Sequence, residues 1–85
     1  MRVHVLYFGV LRESTALPGE TAELTPSATV GDLLRHLRAQ PSNSQMEPLW
    51  DSLAVAVNRV YASADCVLHE DDEVALLPPV SGGRR

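Results

Sequence analysis

One segment constrains the fold more than any other. Between Thr29 and Gln40, apolar residues recur at Val30, Leu33, Leu34 and Leu37. The spacing i, i+3, i+4, i+7 puts them on a single helical stripe. Thr29 with Asp32 fits a capping pair at the start of this helix, Arg38 lies near the negative end of its dipole, and Pro41 stops it. A helix with one apolar stripe covers one face of a sheet, and the rest of the chain supplies the strands. Val3 to Phe8 alternates, with Val3, Val5 and Tyr7 on one side and His4, Leu6 and Phe8 on the other. Gly9 ends that strand. Val10 to Ser14 fits one helical turn before the Pro18-Gly19 turn pair, and Glu20 to Leu24 reads as a short second strand. After the helix come a polar loop from Pro41 to Gln45 and a turn from Met46 to Asp51, in which Trp50 is expected to cover an edge of the core. Leu53 to Val57 then forms a strand with Ala54 and Ala56 on its second face. Asn58-Arg59 suits a tight turn into a short strand at Val60 to Ala62, Cys66 to Leu68 reads as a buried corner, and Val74 to Leu77 is the last strand. The expectation is an α+β domain: a mixed sheet crossed by one main helix, with Leu6, Phe8, Tyr61 and Leu77 on the face the helix leaves open.

Size and charge narrow the function classes. Eighty-five residues make a single core. Its aromatics are Tyr7, Phe8, Trp50 and Tyr61, so aliphatic packing carries it. A formal net charge of −4 at pH 7 argues against a nucleic-acid surface, which needs a basic stripe. No apolar stretch is long enough for a membrane span, and the N-terminal pattern is that of a strand rather than a signal peptide. The lone Cys66 allows neither an internal disulfide nor a cysteine zinc cluster, and a cytoplasmic setting follows as the expectation. All seven basic residues are arginine, so no side-chain amine is present to act as a covalent acceptor.

Familiar catalytic arrangements are missing. His4, His36 and His69 lack metal-ligand spacing: His4 reads as an exposed strand residue and His36 as part of the helix's polar face. Glu70 to Glu73 lacks the alternation and central glycine of a calcium loop and reads as a solvated turn. Cys66, followed by the apolar Val67 and Leu68 and with acidic residues close in sequence, reads as a buried, inert thiol. No glycine loop is present to cradle phosphate, and no metal or cofactor is expected on this chain.

What remains is the C-terminus. Residues 1–77 form the domain and 78–85 an extended, flexible tail: Pro78, Pro79, Val80, Ser81, Gly82, Gly83, Arg84 and Arg85. Two prolines hold the backbone extended, and two glycines leave a tip thin enough to enter a narrow tunnel. A glycine carboxylate is sterically open and can be activated as an acyl adenylate by a partner that binds ATP.

The segments Val5 to Glu13 (VLYFGVLRE), Ala54 to Asn58 (AVAVN) and Asp71 to Gly83 (DDEVALLPPVSGG) resemble the small-subunit family of molybdopterin synthase, which belongs to the ubiquitin-like β-grasp sulfur carriers. The resemblance covers nearly the whole chain and is most specific in the last segment. It implies a β-grasp fold and a cycle in which an adenylating enzyme of the ubiquitin-activating kind activates Gly83. Sulfur then converts Gly83 to a thiocarboxylate, and the tail enters the synthase large subunit, in a heterotetramer, to donate sulfur to a pterin precursor of the molybdenum cofactor. Gly83 matches the thiocarboxylate-bearing glycine, Pro78, Pro79, Val80, Ser81 and Gly82 match the threading tail, and Phe8, Tyr61 and Leu77 match apolar partner contacts. Arg84 and Arg85 depart from the pattern. They lock the Gly83 carbonyl in a peptide bond, which leaves open trimming by a protease, an inactive form, or a terminus that is not the native one. Carriers for thiamine synthesis, tRNA thiolation or protein modification share the fold and tail, and a non-covalent β-grasp interaction module would not need the glycines.

Overall fold

Strand β1, Arg2–Tyr7, buries Val3, Val5 and Tyr7 and turns Arg2 and His4 to solvent. The computed structural model describes residues 1–15 and 18–78, with side chains other than those at 13–15, 42 and 44–46. The expected span of β1 slips by one residue, and Phe8 falls just past its end. There Gly9, at φ +59°, bends the chain into the short helix α1, Val10–Thr15. Strand β2, Gly19–Glu23, returns antiparallel to β1, pairing Arg2 with Glu23 and Leu6 with Gly19.

The remaining strands are β3 (Ala54–Val57), β4 (Val60–Tyr61) and β5 (Glu73–Leu77). All five join one sheet in the order β2-β1-β5-β3-β4. β1 and β5 run parallel while the other pairs are antiparallel. A parallel pair needs a crossover, and here the whole intervening chain provides it. This is the mixed sheet of the β-grasp expectation. Its first and last strands lie side by side, so the segment after β5 leaves beside the end of β1.

Asn58 and Arg59 join β3 to β4 with φ of +50° and +72°, both positive as a type I′ hairpin turn demands. Asn58 also ties this turn to the start of β5: its Nδ2 donates to Asp72 Oδ1 at 2.9 Å and its Oδ1 accepts from the Glu73 N–H at 3.0 Å. Asp72 is therefore not part of a purely solvated turn. Its carboxylate is largely buried and also accepts from the His69 N–H at 2.8 Å.

Helix α2, Val30–Arg38, carries the capping box read from the sequence. Thr29 Oγ1 accepts from the Asp32 N–H at 3.2 Å, and Asp32 Oδ2 accepts from the Thr29 N–H at 2.9 Å. The next orphan donors, at Val30 and Gly31, are taken by the carbonyls of Cys66 and Ala64. Val30, Leu33 and Leu37 are buried with Val3, Val5, Tyr7, Val55, Val74 and Leu76. Leu34, expected in the same stripe, is only half-buried, because it sits on the shoulder of the helix facing Trp50.

The largest departure is Pro41–Ser52. In place of a loop and a separate turn, it forms one 3-10 helical run of 12 residues, starting with Pro in its first turn. Trp50 lies within the core rather than at its edge. Asn43 is buried and donates from Nδ2 to the Leu37 carbonyl at 3.0 Å, a second bond beside that from the Gln40 N–H at 3.2 Å, so it ties the 3-10 run to the end of α2. Arg38 reaches across to Glu47 and Asp51 and fastens the 3-10 run to the helix. The expected buried corner is half realised: Leu68 is buried, Cys66 is half-buried and Val67 is exposed.

Candidate functional site: the open sheet face and the tail root

Register decides which side chains share the face turned away from α2. Leu6 pairs with Ala75, Ala75 with Ala56, and Ala56 with Tyr61, so these four form one row across β1, β5, β3 and β4. One step along, Leu77 pairs with Ala54, and Phe8 extends β1 beside them. The alternation of a strand puts both rows on the face opposite Val5, Tyr7, Val74 and Leu76. Phe8 and Tyr61 are 44% and 76% exposed, and Leu77 is half-buried between them. The three alanines keep the floor low, so the larger side chains stand around a shallow apolar surface.

The face is graded along its length. Toward the N-terminal ends of β1 and β5 it carries Arg2, His4 and Glu73, with His4 Nε2 3.2 Å from Asp71 Oδ1. Toward the other end it carries Leu6, Phe8 and Leu77. The apolar end is the end from which the tail leaves. The family resemblance singles out Phe8, Tyr61 and Leu77, and strand alternation already puts Ala54 and Ala56 on the second face of β3; that they join Ala75 in one floor follows only from the pairing.

At the tail root the ladder closes with the Phe8 N–H donating to the Leu76 carbonyl at 3.2 Å. Pro78 follows Leu77 with no N–H to continue pairing, and it is half-buried. Its ring lies against Gly9: a Cβ on Gly9 would stand 3.0 Å from Pro78 Cγ and 3.6 Å from Cδ. Of the tail positions singled out from sequence, Pro78 is thus placed, whereas Pro79, Val80, Ser81, Gly82 and Gly83, with Arg84 and Arg85, lie outside the described residues.

Behind the site the sheet is held rigidly. The buried Tyr7 phenol donates to Glu20 Oε2 at 2.5 Å, linking β1 to β2. Burial first, and then the Glu20 carboxylate, push this phenol far above its ordinary range, with Asn43 acting the other way. Among the described residues no group of three or more His, Cys, Asp and Glu side chains is placed to hold a metal ion. A hollow of about 330 Å³ beside β4 is lined by Val60, Tyr61, Cys66, His69 and Asp72, so Cys66 sits at its rim rather than sealed in the core. No helix among the described residues is long and apolar enough to cross a membrane.

Comparison with known proteins gives a consistent result. Residues 5–83 match the model of the ThiS family. The chain is 37% identical over 86 residues to the molybdopterin synthase sulfur carrier subunit of Drosophila melanogaster, covering 98% of this chain and 92% of that protein. To the subunit of the same name from Mycobacterium tuberculosis it is 36% identical over 84 residues, covering 98% and 99%. Among solved structures, SAMP1 from Haloferax volcanii superposes with a TM-score of 0.82 at 28% identity, covering 98% of this chain and all of that one. The complex of subunits 1 and 2 of molybdopterin-converting factor from Helicobacter pylori contains a chain of the same fold, with a TM-score of 0.68, 24% identity and coverage of 98% and 100%.

Proposed function

This chain belongs to the ThiS family, and on that premise we propose that it is the sulfur-carrier subunit of a molybdopterin synthase. Its part in the chemistry is to present one carboxyl group and carry sulfur on it. Hydrolysis of the Gly83–Arg84 peptide bond first frees the Gly83 carboxylate, which then attacks the α-phosphate of ATP on an adenylating partner; pyrophosphate leaves, and an acyl adenylate forms. A sulfur nucleophile then displaces AMP, leaving a thiocarboxylate. The tail enters the large subunit, where the thiocarboxylate sulfur is passed to the pterin precursor. The carrier contributes no acid, base or metal to these steps; it binds, aims and delivers, and the setting we assign to it is the cytoplasm.

One observation carries this reading: the apolar end of the open sheet face coincides with the tail root. Phe8, Tyr61 and Leu77 would seat the domain on a partner while the residues from Pro78 onward reach its active site. Scattered exposed apolar residues are ordinary, but a grouped apolar surface at the root of the tail, beside Pro78, fits a docking face. Similarity to SAMP1, a small archaeal modifier protein, favours a second reading in which the same activated glycine is transferred to an amine of another protein.

The experiment compares forms ending at Gly83 and at Arg85, each incubated with an adenylating partner, ATP and a sulfur donor. Sulfur can be delivered only to an activated acyl group, and an internal Gly83–Arg84 peptide offers none. The Gly83 form should gain the mass expected for replacing one carboxyl oxygen by sulfur and should then support dithiolene formation with a large subunit. Dithiolene formation by the Arg85 form with both arginines retained would sink the thiocarboxylate mechanism.

A further inference from the structure

The geometry points to Gly9 as a positioning residue for the tail: by lacking a side chain it seats the Pro78 ring and sets the line along which the last residues leave the sheet. This rests on the tail acting as a threading arm, as proposed above. Three observations converge on it. The parallel register pairs Tyr7 with Leu76, and one further hydrogen bond, from the Phe8 N–H to Leu76, ends the ladder. Continuing that register sets Gly9 beside Pro78, where the ring lies so close that a Cβ would meet Cγ at 3.0 Å, tighter than carbon contacts normally allow.

Gly9 is also fixed in its own right. Its φ of +59° is a conformation that L side chains rarely adopt, and its carbonyl accepts from the Arg12 N–H at 3.1 Å, which anchors it to the first turn of α1. The corner cannot slide away from the proline without giving up that turn. Consecutive prolines favour extended backbone, so a direction fixed at Pro78 is passed along the chain. A tail that starts from a defined wall searches less space for a tunnel entrance, and the effect should appear in capture more than in chemistry.

The test uses four proteins ending at Gly83: wild type, Gly9→Ala, Pro78→Ala and the double variant. Tail direction in the free carrier is read from the residual dipolar coupling of the Val80 N–H, against those of β1 and β5 as the frame. Function is read as product formation by the thiocarboxylated carrier with a large subunit. Gly9→Ala should change the Val80 coupling while leaving the strand couplings in place. It should also lower product formation at limiting carrier by about ten- to a hundredfold, the scale of a misplacement near 1 Å, with a smaller loss at saturation. Pro78→Ala removes Cγ and Cδ, the atoms a new Cβ would strike, so the double variant should recover most of the Gly9→Ala loss. Binding of a form ending at Leu77 should be indifferent to Gly9→Ala.

A Val80 coupling averaged to zero in wild type, or unchanged in Gly9→Ala, overturns the assignment. So does a double variant no better than Gly9→Ala, since the loss would then come from the backbone angle alone. A loss that follows the thermal unfolding midpoint across the four proteins overturns it as well. Wild type that is thiocarboxylated yet yields no product counts against the sulfur-carrier reading instead, and the couplings, which need no partner, then decide the role of Gly9.

Discussion

Tyr7 shows how one side chain can belong to the core and still carry a polar duty. Its ring is buried beneath α2, and its hydroxyl reaches Glu20 on the neighbouring strand. Tyr7→Phe keeps the packing and removes the bond, so it should lower stability by about 1–2 kcal/mol at neutral pH, measured by urea unfolding. The sign of the pH effect follows from linkage. The phenol pKa is raised in the folded state, so its contribution is fully present below the ordinary value of 10.0 and is lost as pH rises beyond it. Wild type should therefore lose stability above about pH 10 more steeply than Tyr7→Phe; parallel profiles would discount the bond. On the opposite face, Leu77→Asp tests the docking surface. Leu77 is half-buried and points away from the helix, so the domain should still unfold near the wild-type midpoint. A carboxylate forced into a desolvated contact should weaken binding to the large subunit by about 2 kcal/mol or more, roughly thirtyfold in Kd. Unaltered affinity, by calorimetry, would move the interface elsewhere.

Among the elements, α2 buries Val30, Leu33 and Leu37 in the core, and these three positions are not equivalent to its fourth apolar one, Leu34. Leu37→Ala should cost about 2–5 kcal/mol because Leu37 is fully enclosed. Leu34→Ala, on the shoulder, should cost nearer 1–2 kcal/mol, and equal losses in thermal unfolding would contradict this packing. The helix was legible because its period, cap and stop signal agree, and β1 was legible because Arg2 and His4 alternate with Val3 and Val5 in a run rich in β-branched and aromatic residues. Pro41–Ser52 was not legible. A 3-10 run repeats every three residues, and here Met46 and Leu49 supply a single apolar pair at that spacing; the run is held by Asn43 on the Leu37 carbonyl, by Arg38 of α2 on Glu47 and Asp51, and by Trp50 in the core. The candidate site divides along the same line. Alternation sets Phe8 on the second face of β1, and the family resemblance singles out Phe8, Tyr61 and Leu77, whereas the Gly9–Pro78 contact joins residues far apart in sequence and exists only because β1 and β5 are neighbours.

At the scale of the whole molecule, the arrangement is that of a donor with no acceptor of its own. The sheet sets β5 at its centre and puts the tail root, Pro78, at the apolar end of its open face, while side-chain amines that would attack an activated glycine are absent from the sequence. Every basic residue is arginine, and a guanidinium stays protonated at any pH a protein tolerates. The remaining amine, at Met1, donates to the Leu24 carbonyl at 2.7 Å and is partly buried. Cys66 could take the acyl group only as a thioester, which added thiol reverses. This bears on the two readings of the family tail, since a modifier and a sulfur carrier share the adenylate and differ in what attacks it. Incubated with an adenylating partner and ATP but no sulfur donor, the Gly83-ended carrier should form no thiol-resistant species linking one copy to another. With a lysine-rich protein added, any conjugate should carry single copies of the chain at separate lysines, each found by peptide mass spectrometry as a Gly83–lysine amide. Thiol-resistant multimers of the carrier alone would show an acceptor this structure does not offer, and abundant lysine conjugates formed even when a sulfur donor competes would favour the modifier role over sulfur delivery.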